Sequence, residues 1–104
     1  MIRHCVFISF KASVSTTERA SILSDIAALQ AHVRGYLSID IGPNVSPEGL
    51  GKSYNGGFII DFKDAAARDA YLIHPDHEKA GGRIVAATEG GVDGVFVYDF
   101  DIAG

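Results

Sequence analysis

The chain has 104 residues, 47% of them hydrophobic, with 13 acidic against 9 basic side chains and a formal charge of -4. That length fits one domain, and an acidic balance with no basic run lacks the electrostatic footprint of a nucleic-acid binder. The single cysteine, Cys5, excludes an intramolecular disulfide framework and a cysteine-based zinc site. No apolar run approaches the roughly 20 residues that a membrane-spanning helix needs.

The first residues, MIRHCVFISF, alternate and carry a histidine, unlike the charged-then-apolar layout of a signal peptide, so a soluble cytoplasmic protein is expected. Residues 2–11 read as a strand with Ile2, His4, Val6, Ile8 and Phe10 on one face and Arg3, Cys5, Phe7, Ser9 and Lys11 on the other. Both faces carry apolar groups, so both should be at least partly covered. Cys5 is expected to be a buried thiol, with His4 directed to the opposite face.

Ser15 and Glu18 have capping-box spacing. Behind them Ile22, Leu23, Ile26, Ala27, Leu29, Gln30 and Val33 form a mostly apolar helical stripe that Gly35 ends. YLSIDIG then predicts a strand with Tyr36, Ser38 and Asp40 on one face and Leu37, Ile39 and Ile41 on the other. A Gly-, Pro- and Ser-rich stretch, GPNVSPEGLGKSYNGG, is a surface loop joining it to the strand GGFIIDF.

Asp64 is placed to cap an alanine-rich helix, AAARDAYL. Pro75 must interrupt or restart that helix, because proline has no amide hydrogen and disfavours helical geometry at His74. The segment YLIHPDHEK, residues 71–79, therefore lies on a corner, with His74 in a capping position. A looser helix containing Gly81 and Gly82 follows, then a last strand, GVFVYDFDI, with Val95, Val97 and Asp99 facing away from Phe96, Tyr98, Phe100 and Ile102.

The order strand, helix, strand, strand, helix, strand predicts an α+β fold, a single ferredoxin-like βαββαβ domain over residues 1–104. Right-handed crossovers place the helices on one face of a four-stranded antiparallel sheet. The other face is left bare, and apolar residues on both faces of strands one, two and four predict that a second copy covers it. A homodimer through the open sheet face, forming a dimeric α+β barrel, is the expected assembly.

Five segments in this order, MIRHCVFISF, IGPNVSPEGL, YNGGFIIDF, DAYLIHPDH and GVFVYDFDI, together resemble the Dabb family of stress-responsive dimeric A/B barrel proteins. The resemblance spans nearly the whole chain and implies a homodimer with its two sheets face to face. It implies less about chemistry, since members of this family include stress-associated stability proteins and polyketide cyclases that need no cofactor. In the cyclase-type relatives a histidine matching His77 works as an acid–base residue, and a tyrosine matching Tyr71 assists it. A histidine on the first strand, here His4, is a hallmark of the family.

These implied roles are chemically coherent. An imidazole takes or gives a proton near neutral pH, and a phenol beside it donates to a developing oxyanion. His77 and Tyr71 are thus the catalytic candidates, with His4 and His74 as ligand-binding candidates at a pocket between sheet and helices, His77 and Tyr71 at its mouth. The sequence departs from the cyclase pattern at Asn55, Gly56 and Gly57, where those relatives carry a further histidine, and at Ile26, where they carry a tyrosine. The thinner polar lining suits a small apolar or aromatic ligand. His74, Asp76, His77 and Glu78 offer metal-ligand atoms, but the proline corner disfavours their convergence, so no metal and no cofactor are expected. The alternative reading is a non-catalytic, stress-related structural dimer whose histidines serve stability.

Overall fold

The computed structural model describes residues 1–103. Strand β1 (Ile2–Ile8) sits at the centre of the sheet, paired antiparallel with β3 (Gly56–Phe62) on one side and β4 (Val95–Asp101) on the other. Strand β2 (Tyr36–Pro43) pairs antiparallel with β3, giving the order β2-β3-β1-β4. This is the expected ferredoxin-like sheet. Helices α1 (Thr16–Ala28), α2 (Ala65–Leu72) and α3 (Pro75–Ala87) cover one face of it.

The local signals act as their chemistry requires. The Ser15 hydroxyl accepts the Glu18 amide at 3.1 Å, and the Asp64 carboxylate accepts the Ala67 amide at 2.9 Å. Helix α1 tightens into a short 3-10 turn, Leu29–Ala31, before Gly35 reverses the chain at φ +86°. Pro75 stands at the first turn of α3, where its missing amide hydrogen costs nothing, so the corner separates two helices rather than bending one. Helix α3 then runs unbroken through Gly81 and Gly82.

The core lies between β1, β3 and the helices. Ile8, Ile60 and Phe62 are fully enclosed, and Ile22, Leu23, Ile26, Leu29, Ala80 and Ile84 close over them. Cys5 is buried on the far side of the sheet from His4, and that burial pushes its thiol pKa up.

Two expectations about the sheet faces need correction. A β-bulge between Tyr36 and Ser38 shifts the register of β2 by one residue. Beyond the bulge Ile39 pairs with Ile60 and Ile41 with Phe58, yet Tyr36 pairs with Phe62, so all three share the helix-facing side. A one-residue insertion reverses the sense of every later side chain. Tyr36 is consequently a core residue, its hydroxyl donating to the Ile26 carbonyl at 3.0 Å.

The same shift leaves Ser38, Asp40 and Gly42 as the contribution of β2 to the open face. Apolar cover there comes from β1 and β4 instead. Phe7, Phe96, Tyr98 and Phe100 are all exposed and form a continuous aromatic row, with ring centroids 6.0–6.4 Å apart. The open face is thus aromatic at the β4 edge and polar at the β2 edge, with the Arg3 guanidinium paired to both Asp61 oxygens between them at 2.9 and 3.0 Å.

Candidate functional site

The sequence places a histidine on the apolar face of β1 and an aspartate on the apolar face of β4, and antiparallel pairing sets His4 opposite Asp99. Their side chains meet: His4 Nδ1 lies 2.6 Å from Asp99 Oδ1. A carboxylate only accepts, so the imidazole donates from Nδ1–H. The second oxygen of Asp99 accepts from Arg68 Nη1 on α2 at 3.1 Å. Arg68 also holds Asp69 through Nε at 3.0 Å.

From His4 the cluster continues inward through aromatic rings. Tyr71, on the buried face of α2, presents an edge to His4 with centroids 5.7 Å apart, and to Tyr36 at 5.9 Å. Phe62 packs beneath Tyr71 at 5.1 Å. His77, in the first turn of α3, lies over Tyr71 with centroids at 4.5 Å. The corner at Pro75 is what brings Tyr71 and His77 together, since a continuous helix would separate residues six apart onto different faces.

Two polar atoms in this cluster are buried without a hydrogen-bond partner among the described residues, Tyr71 Oη and His77 Nδ1. Burial holds the Tyr71 phenol protonated, pushing its pKa well up, with the neighbouring Tyr36 adding to the rise. Desolvation lowers the His77 pKa below the usual histidine value, against a raising contribution from the Leu72 carbonyl. Both shifts favour the neutral forms, a phenol beside an imidazole. One can donate a proton and the other can take one.

Of the four sequence-predicted site residues, His4, Tyr71 and His77 converge and His74 does not. His74 caps α3, its Nδ1 accepting the Asp76 amide at 3.1 Å, and its ring stacks on His32 at 6.2 Å. Tyr71 is fully enclosed rather than at a mouth, which corrects the expected arrangement. A groove of about 600 Å³ does exist, but it lies on the open sheet face beneath the β2–β3 loop, lined by Phe7, Gly42, Tyr54 and Phe96 among others, and not by His4, Tyr71 or His77. Asn55, where a further histidine would widen the polar lining, is occupied in clamping both backbone groups of Phe10, at 2.8 and 3.0 Å.

Sequence reasoning missed Tyr36, Asp99 and Arg68. Asp99 had a signal, an acidic group on the same strand face as Val95 and Val97, but its partner becomes visible only once the register of β1 and β4 is known. Among the described residues no group of three histidine, cysteine or acidic side chains could hold a metal ion. No helix among them is long and apolar enough to cross a membrane.

A ferredoxin-like sheet with three helices on one side and a histidine–tyrosine cluster between the layers defines a small α+β sandwich of the A/B barrel class. The chain belongs to the Dabb family: the model for the stress responsive A/B barrel domain matches residues 2–102. Among solved structures it is similar to a dimeric ferredoxin-like protein of unknown function from Jannaschia sp. CCS1, 31% identical over 97% of this chain and 98% of that one, with a TM-score of 0.90. A Dabb family protein from Mesorhizobium loti is 28% identical over 99% and 97% of the two chains, with a TM-score of 0.75. The hydroxynitrile lyase of Passiflora edulis shares the fold, at 19% identity over 98% and 93% of the chains and a TM-score of 0.84. No curated protein matches the chain.

Proposed function

We propose that the protein is a homodimer that binds a small apolar or aromatic molecule and carries out cofactor-free acid–base chemistry on it, of a cyclase or isomerase type. His77 and Tyr71 are the catalytic pair and His4 lines the same site. The observation that carries this reading is the pair of orphaned atoms, Tyr71 Oη and His77 Nδ1. A buried polar group without a partner costs about 1–3 kcal/mol, so two of them on rings packed against each other call for a bound group that supplies the missing contacts. Tyr71 O–H can donate to a carbonyl oxygen while His77 takes a proton from the carbon beside it. That a Passiflora relative of the same fold is a lyase is consistent with acid–base chemistry in this architecture, although fold alone does not choose a reaction.

Closure of the dimer is assigned to the open sheet face, where the aromatic row of β1 and β4 is exposed. Relatives from Jannaschia and Thermobifida fusca are described as dimeric.

A second reading, a non-catalytic stress-related dimer, is favoured by the complete enclosure of Tyr71 and by the position of the groove on the open sheet face, away from it. Thermal-shift screening of aromatic, acyl and polyketide-like compounds against the wild type and His77→Gln separates the two. Compounds that raise the melting temperature of the wild type and not of the variant support the site, because a ligand of the native state stabilises it by mass action. Equal shifts in both proteins would move binding to another surface, and no shift in either favours the structural dimer.

A further inference from the structure

We propose that Arg68 is a positioning residue that, by holding one oxygen of Asp99, keeps the other on His4 Nδ1, the arrangement that leaves Nε2 as the acceptor of the ring. The proposal rests on reading His4 as part of the acid–base site, but its test needs no ligand and no turnover, so the two can fail separately.

Arg68 has only donors, and Asp99 as a carboxylate only accepts. Asp99 uses one oxygen for Arg68 Nη1 at 3.1 Å and the other for His4 Nδ1 at 2.6 Å. His4 is buried, Arg68 and Asp99 are partly buried, and the three are brought together from α2, β4 and β1. With Nδ1–H committed to Asp99, Nε2 on the other side of the ring is left as the acceptor in the neutral imidazole. That acceptor belongs to the ring facing Tyr71.

In the native protein the carboxylate enforces this tautomer whatever Arg68 does. Arg68 becomes decisive when Asp99 is made an amide. In Asp99→Asn the side chain keeps one acceptor, Oδ1, and gains a donor, Nδ2. Arg68 cannot face a donor, so it claims Oδ1 and turns the NH2 group toward His4. His4 Nδ1 must then accept, and the proton moves to Nε2. When Arg68 is also replaced by methionine, which keeps much of the stem and removes the donors, nothing fixes the amide. Oδ1 can return to His4 and the Nδ1–H tautomer with it.

The experiment is ring 15N chemical-shift measurement of His4 in wild type, Asp99→Asn, Asp99→Asn/Arg68→Met and Asp99→Asn/Arg68→Lys, at a pH where the imidazole is neutral. The expected result is Nδ1–H in the wild type, Nε2–H in Asp99→Asn, Nδ1–H again with Arg68→Met, and Nε2–H retained with Arg68→Lys, which still donates. A merely structural Arg68 would change melting temperature and leave the tautomer of the Asn variants unmoved. If Asp99→Asn keeps Nδ1–H, or if removing Arg68 from it changes nothing, the proposal is overturned. Should the Asn variants fail to fold, Arg68→Met alone decides: solvent exchange of the His4 Nδ1 proton should accelerate by about tenfold or more as Asp99 loses its anchor, and an unchanged rate would overturn the idea.

Discussion

Tyr71 and His77 are six residues apart in sequence, yet their rings pack with centroids 4.5 Å apart across the Pro75 corner, and each turns an unpartnered polar atom into the core. This relationship is costly as it stands. Its consequences for stability and pH can be measured directly.

Removing the orphaned hydroxyl should help the fold. Tyr71→Phe keeps the ring against His4, Tyr36 and Phe62 and deletes a buried donor with no partner, so we expect a gain of about 1 kcal/mol in unfolding free energy, measured by urea denaturation. A clear loss would mean that the hydroxyl has a partner in solution.

His4→Ala should act in the opposite direction. It opens a hole between Phe62 and Tyr71 and leaves Asp99 held only by Arg68, for a loss of about 1–3 kcal/mol. A loss within experimental error would show that the imidazole–carboxylate bond contributes little to the native state.

The sign of the pH dependence follows from desolvation of His77. Its folded pKa is depressed, against an unfolded value of about 6.5. The unfolded chain therefore binds the proton first as pH falls, and the stability present above that unfolded value is lost as pH drops through it toward the folded one. His77→Gln should flatten this part of the stability–pH curve. A curve unchanged by the substitution would place the responsible group elsewhere.

Assembly through the open face has its own test. Tyr98 is exposed in the middle of the aromatic row and its side chain points away from the helices. Tyr98→Glu puts a charge where two sheets would meet, and should shift the protein from dimer to monomer in analytical ultracentrifugation while leaving the helical circular dichroism in place. A dimer of unchanged affinity would exclude this face.

Helix α3 offers a control remote from the site. A methyl group at Gly82 would touch nothing within 4 Å. Gly82→Ala should stabilise the protein by about 0.5–1 kcal/mol, through reduced backbone freedom of the unfolded chain, without altering ligand shifts. Destabilisation would reveal a contact that the open surface does not suggest.

The capping residues Ser15 and Asp64, the proline stop and the alternation of β1, β3 and β4 were all legible in the sequence, because each rests on interactions within a few residues. The faces of β2 were not. Local alternation puts Tyr36 with Ser38 and Asp40, and only the bulge opposite Phe62 and Asp61 moves it into the core. The Dabb resemblance pointed to His4, Tyr71 and His77 before any contact was known. His74, the other ligand-binding candidate, stands where the Pro75 corner predicts a cap, and its side chain caps α3.

By itself, then, the sequence determined the order of elements, the helix ends and which residues carry titratable groups, since backbone propensity and capping act over one or two turns. Tertiary structure alone decided that Asp99 faces His4, that Arg68 completes the line, and that the rings of Tyr71 and His77 pack together. Those contacts join residues 6 to 95 positions apart, and their formation depends on strand register and helix docking, which are set by the packing of the whole core.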